Sequence, residues 1–268
     1  MPSILWNGQI LNSDTPLVLP DSLTVRYGIG VFETIRCHHG ELLFFQDHIE
    51  RLSAALNTLT IPVLNTLCEK KLSEQIMHLL QHEALNNARV RLSVLSNGHT
   101  PPHCLITCSP LPEPFVKPLS IDFSAHYGVW ASPVSGFKNI NYLHYLLAAD
   151  EAIQKGIDDV VLLNQHGRVC ETSISNIFCR TGNTILTPAL TEGCIAGIFR
   201  KQVLNTLQHL SYDVQEVPLS THALLESDEI FLTNVIRGIR PVEFIRHNKK
   251  DTSLAQQLTQ YFQKYYSE

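Results

Sequence analysis

The strongest constraint on the fold of this 268-residue chain is a proline-rich segment, 110–118, with four prolines in nine residues. Proline fixes φ and has no backbone N–H, so this segment cannot continue a helix or a central strand. We therefore predict a linker at 113–120. It separates a small N-terminal α+β domain, residues 1–112, from a larger C-terminal α+β domain, residues 121–268. An active site between two such lobes is the expected arrangement.

Hydrophobic periodicity and turn signals predict mixed α and β structure on both sides of the linker. The predicted helices are 46–56, 64–82, 142–155, 197–210 and 254–266. The predicted strands are 3–6, 9–11, 31–37, 42–45, 88–95, 104–109, 120–123, 129–131, 160–163, 168–171, 174–179, 184–186 and 229–233. Gly156 directly follows the helix 142–155 and is expected to end it. The predicted fold class is therefore α+β.

Composition narrows the possible partners and compartments. A net charge of -5 gives no basic surface for phosphate backbones, so nucleic acid is not an expected partner. Residues 1–9 lack a basic leader and an apolar run, and no apolar stretch elsewhere is long enough to cross a bilayer. Seven cysteines without a C-x-x-C pair suit buried thiols in a reducing compartment. We therefore expect a cytoplasmic protein with no membrane partner.

Several short motifs do not meet the requirements of the chemistry that they suggest. Gly28-x-Gly30 lacks the third glycine of a dinucleotide-binding turn and leads into a strand. His78 and His82 are four residues apart, but no glutamate follows the first histidine, as a zinc protease requires. Neither a G-x-S-x-G motif nor a P-loop is present. We therefore predict no metal site.

Two charged residues suggest the chemistry of a carbonyl cofactor. Lys138 lies between Phe137 and Ile140, just before a predicted helix. It is either a surface lysine near a helix start or a buried, neutral amine able to form an imine with a carbonyl group. Glu171 ends a short predicted strand and precedes small hydroxyl residues. It is either a solvated hairpin carboxylate or the acid that keeps a pyridine nitrogen protonated.

A phosphate-binding segment is expected beside them. The segment 193–200 places glycines at the start of a predicted helix, where backbone N–H groups and the helix dipole favour a phosphate. Arg51 is a matching cation. Each feature is weak alone, and their joint occurrence favours a phosphorylated carbonyl cofactor.

These segments resemble those of the fold-type IV pyridoxal-phosphate enzymes, which include D-amino-acid and branched-chain aminotransferases and aminodeoxychorismate lyase. The matching motifs run through nearly the whole chain. They are Tyr27-Gly-Ile-Gly-Val-Phe-Glu-Thr34, His48-x-x-Arg51-Leu52, Lys138-x-x-Asn141-Tyr142, Glu171-x-x-x-x-Asn176-Ile-Phe178, Gly197-Ile-x-Arg200, and Pro241-Val242 after Thr233-Asn234. The resemblance implies a small N-terminal α/β lobe, a larger C-terminal β-barrel-like lobe, pyridoxal 5'-phosphate as cofactor, and a homodimer.

The resemblance also implies roles for matching residues. Lys138 looks like the catalytic lysine, which forms the Schiff base and moves protons, and Glu171 like the partner of the pyridine nitrogen. Arg51 and the backbone N–H groups of Ile198 and Phe199 look like the phosphate site. Further matching cofactor residues are Tyr142, Ile195, Gly197, Asn234 and Val235. Many relatives have a hydroxyl residue where Val235 offers only its backbone.

Within the family, this chain most resembles aminodeoxychorismate lyase. Phe32-Glu33-Thr34 differs from the F-E-G of branched-chain aminotransferases, and the spacing after Lys138 is compact, as in the lyase and D-amino-acid groups. Such a lyase removes pyruvate from 4-amino-4-deoxychorismate and leaves 4-aminobenzoate for folate synthesis. Two features depart from the pattern: 23–26 replaces the usual D-R-G, and Leu95-Ser96 lies where some lyases have an arginine.

A substrate with two carboxylates requires at least one cation in the site. Arg91 and Arg237 are the candidates, with Tyr27 and Phe32 as wall residues. The alternatives are a structural arginine in a strand for Arg91 and a solvent-facing loop arginine for Arg237. Two other functions stay open. One is a class IV aminotransferase acting on D-amino acids or branched-chain amino acids, which would share every cofactor residue, and the other is a non-catalytic protein that binds pyridoxal phosphate.

Overall fold

The computed structural model describes residues 2–17, 20–62, 68–98, 100–113 and 117–266. The chain divides into two compact units: Met1–Glu113 with Phe137–Asn141, and Pro114–Gly136 with Tyr142–Glu268. The predicted domain limits remain a prediction, because a compact unit in space need not be an independently folding domain. Residues 114–116 of the predicted linker and 64–67 of the predicted second helix lie outside the described residues.

Six strands form an antiparallel sheet in the described part of the first unit. They are β1 (Ser3–Trp6), β2 (Gln9–Asn12), β3 (Gly30–His38), β4 (Glu41–Leu42), β5 (Ala88–Asn97) and β6 (Thr100–Pro110), in the order β2-β1-β6-β5-β3-β4. The helices of this unit are α1 (Leu23–Tyr27), α2 (Phe45–Thr58) and α3 (Glu69–His82). Helix α3 buries Leu72, Ile76, Leu79 and Leu80, a spacing that places them on one helical face. Each fully buried leucine or isoleucine contributes about 1.5–3 kcal/mol to the stability of the unit.

The segment Phe137–Asn141 completes the first unit along strand β3. Phe32 N donates a hydrogen bond to Lys138 O at 2.8 Å, and Ile140 N donates to Gly30 O at 3.0 Å. Val31 pairs with Val94 of β5 and also bridges to Asn139, so the segment lies on the side of β3 opposite to β5. Backbone pairing therefore fixes the position of Lys138.

Nine strands form the mixed sheet of the second unit, within its described residues. They are β7 (Leu119–Gly128), β8 (Asp159–Leu163), β9 (Val169–Thr172), β10 (Asn176–Thr181), β11 (Thr184–Pro188), β12 (Asp213–Val217), β13 (Glu229–Asn234), β14 (Gly238–Ile245) and β15 (Asn248–Lys249). Their order is β12-β11-β10-β13-β14-β7-β8-β9, and β15 pairs with β14. Four strands separate β9 from β10 in this order, yet only three residues connect them. The sheet must therefore curl strongly on itself, as the predicted barrel-like lobe requires.

Four α-helices lie within the described part of the second unit. They are α4 (Leu143–Lys155), α5 (Ile198–His209), α6 (Thr221–Glu226) and α7 (Ser253–Tyr261), and short 3-10 turns cover Leu190–Glu192 and Gln263–Tyr265. Helix α4 packs on β7 and β8, and α5 packs against β12 and β13. Across the described residues, no helix has the length and apolar character needed to span a membrane.

The predicted α+β class is confirmed, whereas two predicted strands are wrong. Instead of a strand at 42–45, β4 ends at Leu42, because Phe44 adopts a left-handed conformation at φ 53° and α2 begins at the next residue. Residues 129–131 form no strand, since β7 runs only to Gly128. Gly156 ends α4 as expected, in the left-handed conformation at φ 67°. The elements that were not predicted from the sequence are α1, α6, β12, β14 and β15.

Candidate active site

Lys138 lies beside a buried aromatic ring in the first unit. The ring of Phe32, which is 3% exposed, has its centroid 5.2 Å from Lys138 Nζ and 3.6 Å from Arg91 Cζ. Arg91 lies on β5 opposite Thr34 and is exposed, so its guanidinium covers the ring while remaining in contact with solvent. The predicted catalytic lysine and two of the predicted substrate residues therefore share one aromatic surface.

Two glycines allow the Lys138 segment to approach so closely. Gly28 has φ 67°, and a Cβ built there would lie 2.2 Å from Asn141 Oδ1. A Cβ on Gly30 would lie 2.5 Å from Ile140 Cδ1. Asn141 Nδ2 donates to the carbonyl of Gly28 at 3.2 Å. Tyr27, the predicted wall residue, is 57% exposed, with Arg26 over its ring.

Arg51 is engaged by a buried carboxylate in the first unit. Its Nε and Nη2 donate to Glu33 Oε1 and Oε2 at 2.8 and 2.5 Å. His48 Nδ1 donates to Glu33 Oε2 at 2.7 Å. Burial alone raises the pKa of Glu33, but the charge of Arg51 and the hydrogen bonds from His48 and Arg51 outweigh it and lower the pKa from 4.5 to about 2. Glu33 is therefore ionised and fixes the guanidinium plane of Arg51.

The histidine of this group is neutral. Burial lowers the pKa of His48 by more than its bonding to Glu33 raises it. Its Nε2 is buried and has no hydrogen-bond partner among the described residues. Sequence reasoning gave roles to neither Glu33 nor His48, although both belong to the quoted motifs. The available signal was the position of His48 three residues before Arg51, which places both side chains on one face of α2.

A second buried carboxylate, Glu171 of β9, is held by three donors in the second unit. Tyr145 Oη and Ile195 N donate to Oε1 at 2.5 and 3.1 Å, and Asn176 Nδ2 lies 3.4 Å from Oε2. Burial, followed by the negative charge of Glu171, raises the pKa of Tyr145 well above its usual value, so this phenol stays protonated and donates. The carboxyl group is thus buried and fixed in orientation.

Tyr142, a predicted cofactor residue, is connected to the carboxyl group of Glu171 through Tyr145. Its ring stacks on Tyr145, with centroids 4.3 Å apart. Sequence reasoning did not identify Tyr145 or the role of Asn176. Tyr145 follows Tyr142 by three residues at the start of a helix, and this spacing was the signal that could have found it.

Helix α5 begins at a glycine that lies against Asn176. Gly197 is the N-cap residue, and as a glycine it has no side chain with which to cap the helix. A Cβ on Gly197 would lie 1.9 Å from Asn176 Oδ1, so no other residue fits there without displacement. Ile198 and Phe199, in the first turn, have buried side chains. At the start of α5, the first backbone N–H groups and the positive end of the helix dipole point in the direction in which an anion such as a phosphate would bind.

The turn after β13 is fixed by its own asparagine. Asn234 Oδ1 accepts hydrogen bonds from Ile236 N and Arg237 N at 3.1 and 2.8 Å. Its Nδ2 donates to Ser175 Oγ at 3.0 Å, in the loop that follows Glu171 by a few residues. Val235, the next residue of the turn, has only backbone groups to offer to a ligand. Arg237 is half-buried at the end of this turn.

These elements agree with a match to a known family. The sequence model of the family described as amino-transferase class IV covers residues 30–245. The chain belongs to this family. It is a pyridoxal-phosphate-dependent enzyme, and its cofactor is pyridoxal 5'-phosphate, as the sequence motifs predicted.

Two relatives and one solved structure illustrate the family context. An aminodeoxychorismate lyase of Vibrio harveyi is 29% identical over 264 residues, which cover 90% of this chain and 91% of the relative. A Methanocaldococcus jannaschii protein, provisionally named a branched-chain-amino-acid aminotransferase, is 29% identical over 250 residues, covering 89% and 86% of the two chains. A branched-chain aminotransferase of Thermoproteus uzoniensis, solved with norvaline, shares the fold with a TM-score of 0.90 at 22% identity, covering 98% of this chain and 94% of that one.

The residues present fit pyridoxal 5'-phosphate. The buried carboxyl group of Glu171, held by Tyr145 and Ile195, is the kind of group that pairs with a protonated pyridine nitrogen. The glycine at 197, at the start of α5, forms a cradle that a larger side chain would fill. Lys138 is half-buried beside Phe32, where an amine can meet a carbonyl group.

Proposed function

We propose that this enzyme is a 4-amino-4-deoxychorismate lyase, which releases pyruvate and leaves 4-aminobenzoate for folate synthesis. The observation that carries the proposal is the shared contact of Arg91 and Lys138 with the ring of Phe32. A substrate carboxylate bound by Arg91 would lie near the amine that moves protons. The similarity to the Vibrio harveyi lyase over nine-tenths of the chain supports the same function.

The proposed roles follow from the chemistry of each group. Lys138 Nζ accepts the proton from the substrate carbon that bears the amino group and later returns a proton. Glu171 keeps the ring nitrogen of the cofactor protonated, and bound pyridoxal 5'-phosphate supplies an electron-withdrawing ring that stabilises negative charge on that carbon. Arg51 and the backbone N–H groups of Ile198 and Phe199 bind the phosphate. The other proposed cofactor contacts are Tyr142, Ile195, Gly197, Asn234 and Val235, and the other proposed substrate contacts are Tyr27, Phe32 and Arg237.

The direct test supplies purified enzyme with 4-amino-4-deoxychorismate and follows the fluorescence of 4-aminobenzoate together with released pyruvate. We expect equal amounts of both products from the wild type and none from Lys138→Ala. A wild-type enzyme that shows cofactor absorbance but forms no 4-aminobenzoate would contradict the proposed substrate. Absence of every turnover tested, with cofactor bound, would favour the non-catalytic alternative.

The role of Arg91 has a matched control on the same strand. Arg91→Leu removes a cation that pairs with a carboxylate, so we expect KM to rise about ten- to hundredfold, since a hydrogen bond to a charged group is worth about 1.5–3 kcal/mol. Cofactor absorbance should stay unchanged. Arg89→Leu alters an exposed arginine two residues away on the same face of β5 and should leave KM within about twofold. Equal KM values for the two variants would refute the role.

The second candidate function is that of an aminotransferase for branched-chain or D-amino acids. The sequence identity to the Methanocaldococcus jannaschii protein equals that to the Vibrio harveyi lyase. Arg91 can also bind the side-chain carboxylate of an amino donor such as glutamate as well as it can bind a carboxylate of the lyase substrate. Incubation with 2-oxoglutarate and single L- or D-amino acids, followed by chiral detection of glutamate, tests this candidate. Glutamate formation without lyase activity would replace the first proposal with the second.

We also propose a cytoplasmic homodimer. All seven cysteines are unpaired thiols, as a reducing compartment favours, and burial raises the pKa of the Cys104 and Cys179 thiols to about 12.

Helix α4 exposes Leu143, Leu146 and Ile153 by 60 to 74%, an apolar stripe suited to a second copy of the chain. Light scattering should give twice the chain mass for the wild type. Leu146→Glu should lower that mass, and an unchanged mass would remove α4 from the proposed interface.

A further inference from the structure

We propose that Tyr266 is a positioning residue for the cofactor phosphate, because it contacts both of the regions proposed to bind that phosphate and holds them next to each other. The inference rests on the proposed function of those regions, namely the first turn of α5 and the turn after β13. Tyr266 follows α7 and the 3-10 turn Gln263–Tyr265, and it is half-buried. Its hydroxyl contacts the turn after β13, and its ring contacts the first turn of α5 and Gly238, the residue that directly follows the turn.

The hydroxyl contact fixes a peptide unit in the turn after β13. Tyr266 Oη donates to the carbonyl of Val235 at 3.0 Å. The N–H of Ile236, in the same peptide unit, donates to Asn234 Oδ1 at 3.1 Å. Because a peptide unit is planar, bonds at its two ends hold the whole unit in one orientation. Val235 has no side-chain donor, and the N–H of Ile236 already donates to Asn234, so a phosphate at this turn depends on the N–H of Val235, which directly precedes the peptide unit that these bonds hold.

The ring contacts join this turn to helix α5. The ring of Tyr266 meets the ring of Phe199 edge to face, with centroids 5.3 Å apart and planes at 67°. The same ring lies against Gly238, where a built Cβ would be 3.4 Å from three ring carbons. Gly238 has φ 70°, a conformation that favours glycine. One side chain therefore packs against the first turn of α5 and against the residue that begins β14.

This arrangement predicts a selective effect on phosphate binding. Pyridoxal 5'-phosphate and pyridoxal present the same aldehyde to Lys138 and the same ring nitrogen to Glu171. They differ in the phosphate, and pyridoxal also closes its free hydroxymethyl group onto its own aldehyde as a hemiacetal, which lowers its apparent affinity equally for every variant. A residue that positions the phosphate site must therefore change the affinity for pyridoxal 5'-phosphate without changing the affinity for pyridoxal, whereas a residue that only stabilises the fold changes both or neither.

The experiment measures the dissociation constants of both compounds for the apo-enzyme by absorbance titration. Tyr266→Phe removes one hydrogen bond and should weaken pyridoxal 5'-phosphate binding about three- to tenfold. Tyr266→Ala also removes the ring and should weaken it more than tenfold. Pyridoxal should bind both variants within about twofold of the wild type. Tyr261→Phe is the matched control, since this tyrosine of α7 is 56% exposed, and it should change neither constant.

The possible results distinguish the role of Tyr266 from the assignment of the phosphate site and from the proposed lyase activity. Parallel losses for both compounds in Tyr266→Phe, or no loss for either, would overturn the positioning role. A wild-type enzyme that binds pyridoxal as tightly as pyridoxal 5'-phosphate would overturn the phosphate assignment and the inference with it. Failure of the lyase assay would leave the affinity ratio unaffected, because neither titration contains substrate.

Discussion

Replacing Glu33 by glutamine removes the charge that neutralises Arg51 inside the first unit. The substitution keeps the size and shape of the side chain, so its effect reports charge and hydrogen bonding. Glutamine can accept with only one oxygen, and in either orientation its NH₂ group would face a donor nitrogen of Arg51. The variant therefore leaves a buried guanidinium without its carboxylate.

The size of the effect follows from the loss of the ion pair, and the lowered pKa that this pair gives Glu33 leads to the same order of magnitude. Removing one member of a buried ion pair costs about 3–5 kcal/mol, because the remaining charge stays buried and uncompensated. The pKa of Glu33 is lowered from 4.5 to about 2, which corresponds to about 3 kcal/mol of folding free energy. Both arguments predict that Glu33→Gln lowers the free energy of unfolding by about 3–5 kcal/mol at neutral pH.

The acid dependence adds a second signature. A carboxyl group with a lowered pKa in the folded state stabilises the protein fully above its unfolded pKa. That contribution declines as the pH falls below about 4.5 and is lost near pH 2. The difference in stability between wild type and Glu33→Gln should therefore be constant between mildly acid and neutral pH, and it should shrink below pH 4.5.

The assay is urea unfolding of the apo-enzyme at several pH values, followed by circular dichroism and tryptophan fluorescence. Glu50→Gln is the control, because it alters an exposed glutamate on the same helix as Arg51 and should change stability by less than about 0.5 kcal/mol. A Glu33→Gln variant within about 1 kcal/mol of the wild type at neutral pH, a margin of about fivefold in the folding equilibrium, would refute the reasoning. So would a stability difference that did not shrink in acid.

Three further predictions concern Tyr145 and two glycines. Tyr145→Phe should lower the free energy of unfolding by about 1.5–3 kcal/mol in urea, because Glu171 loses a donor at 2.5 Å, and a loss below about 0.5 kcal/mol would contradict that bond. Gly197→Ala should weaken binding of pyridoxal 5'-phosphate more than about tenfold in an absorbance titration while the apo-enzyme keeps its circular dichroism spectrum, since the new Cβ displaces Asn176. Gly28→Ala should destabilise the first unit by more than about 1 kcal/mol, measured by urea unfolding, because φ 67° disfavours alanine and the Cβ overlaps Asn141.

The family and the α+β class were predictable because they depend on local sequence. The ordered motifs identified the family, which the match over residues 30–245 confirms. Gly156 marked the end of α4 because a left-handed C-cap is a property of a single residue. Strand β14 escaped prediction because Arg240 and Pro241 interrupt its apolar alternation, and they are accommodated only through pairing with β13.

The contacts between Glu33 and Arg51 and between Tyr145 and Glu171 were not predictable, since each joins residues that are distant in sequence. Glu33 and Arg51 are 18 residues apart, and Tyr145 and Glu171 are 26 apart. The chemistry of the individual residues suggested Arg51 as the cation that binds the phosphate and Glu171 as the partner of the pyridine nitrogen. It could not show which neighbouring residues hold these two side chains in place. The roles of these residues toward the cofactor stay predictions.

The structure gives one physical reason for two motifs that are more than a hundred residues apart. The glycines at 28 and 30 leave room for Asn141 and Ile140, and the backbone of the second motif pairs with β3. Any side chain at either glycine would push this segment away from β3, and Lys138 would move with it. The motif that contains Gly28 and Gly30 and the motif that contains Lys138 are therefore two halves of one contact. A smaller residue at 140 or 141 would relieve only part of the overlap, because Gly28 has φ 67° and a Cβ on Gly30 would also lie 2.8 Å from the carbonyl oxygen of Val94.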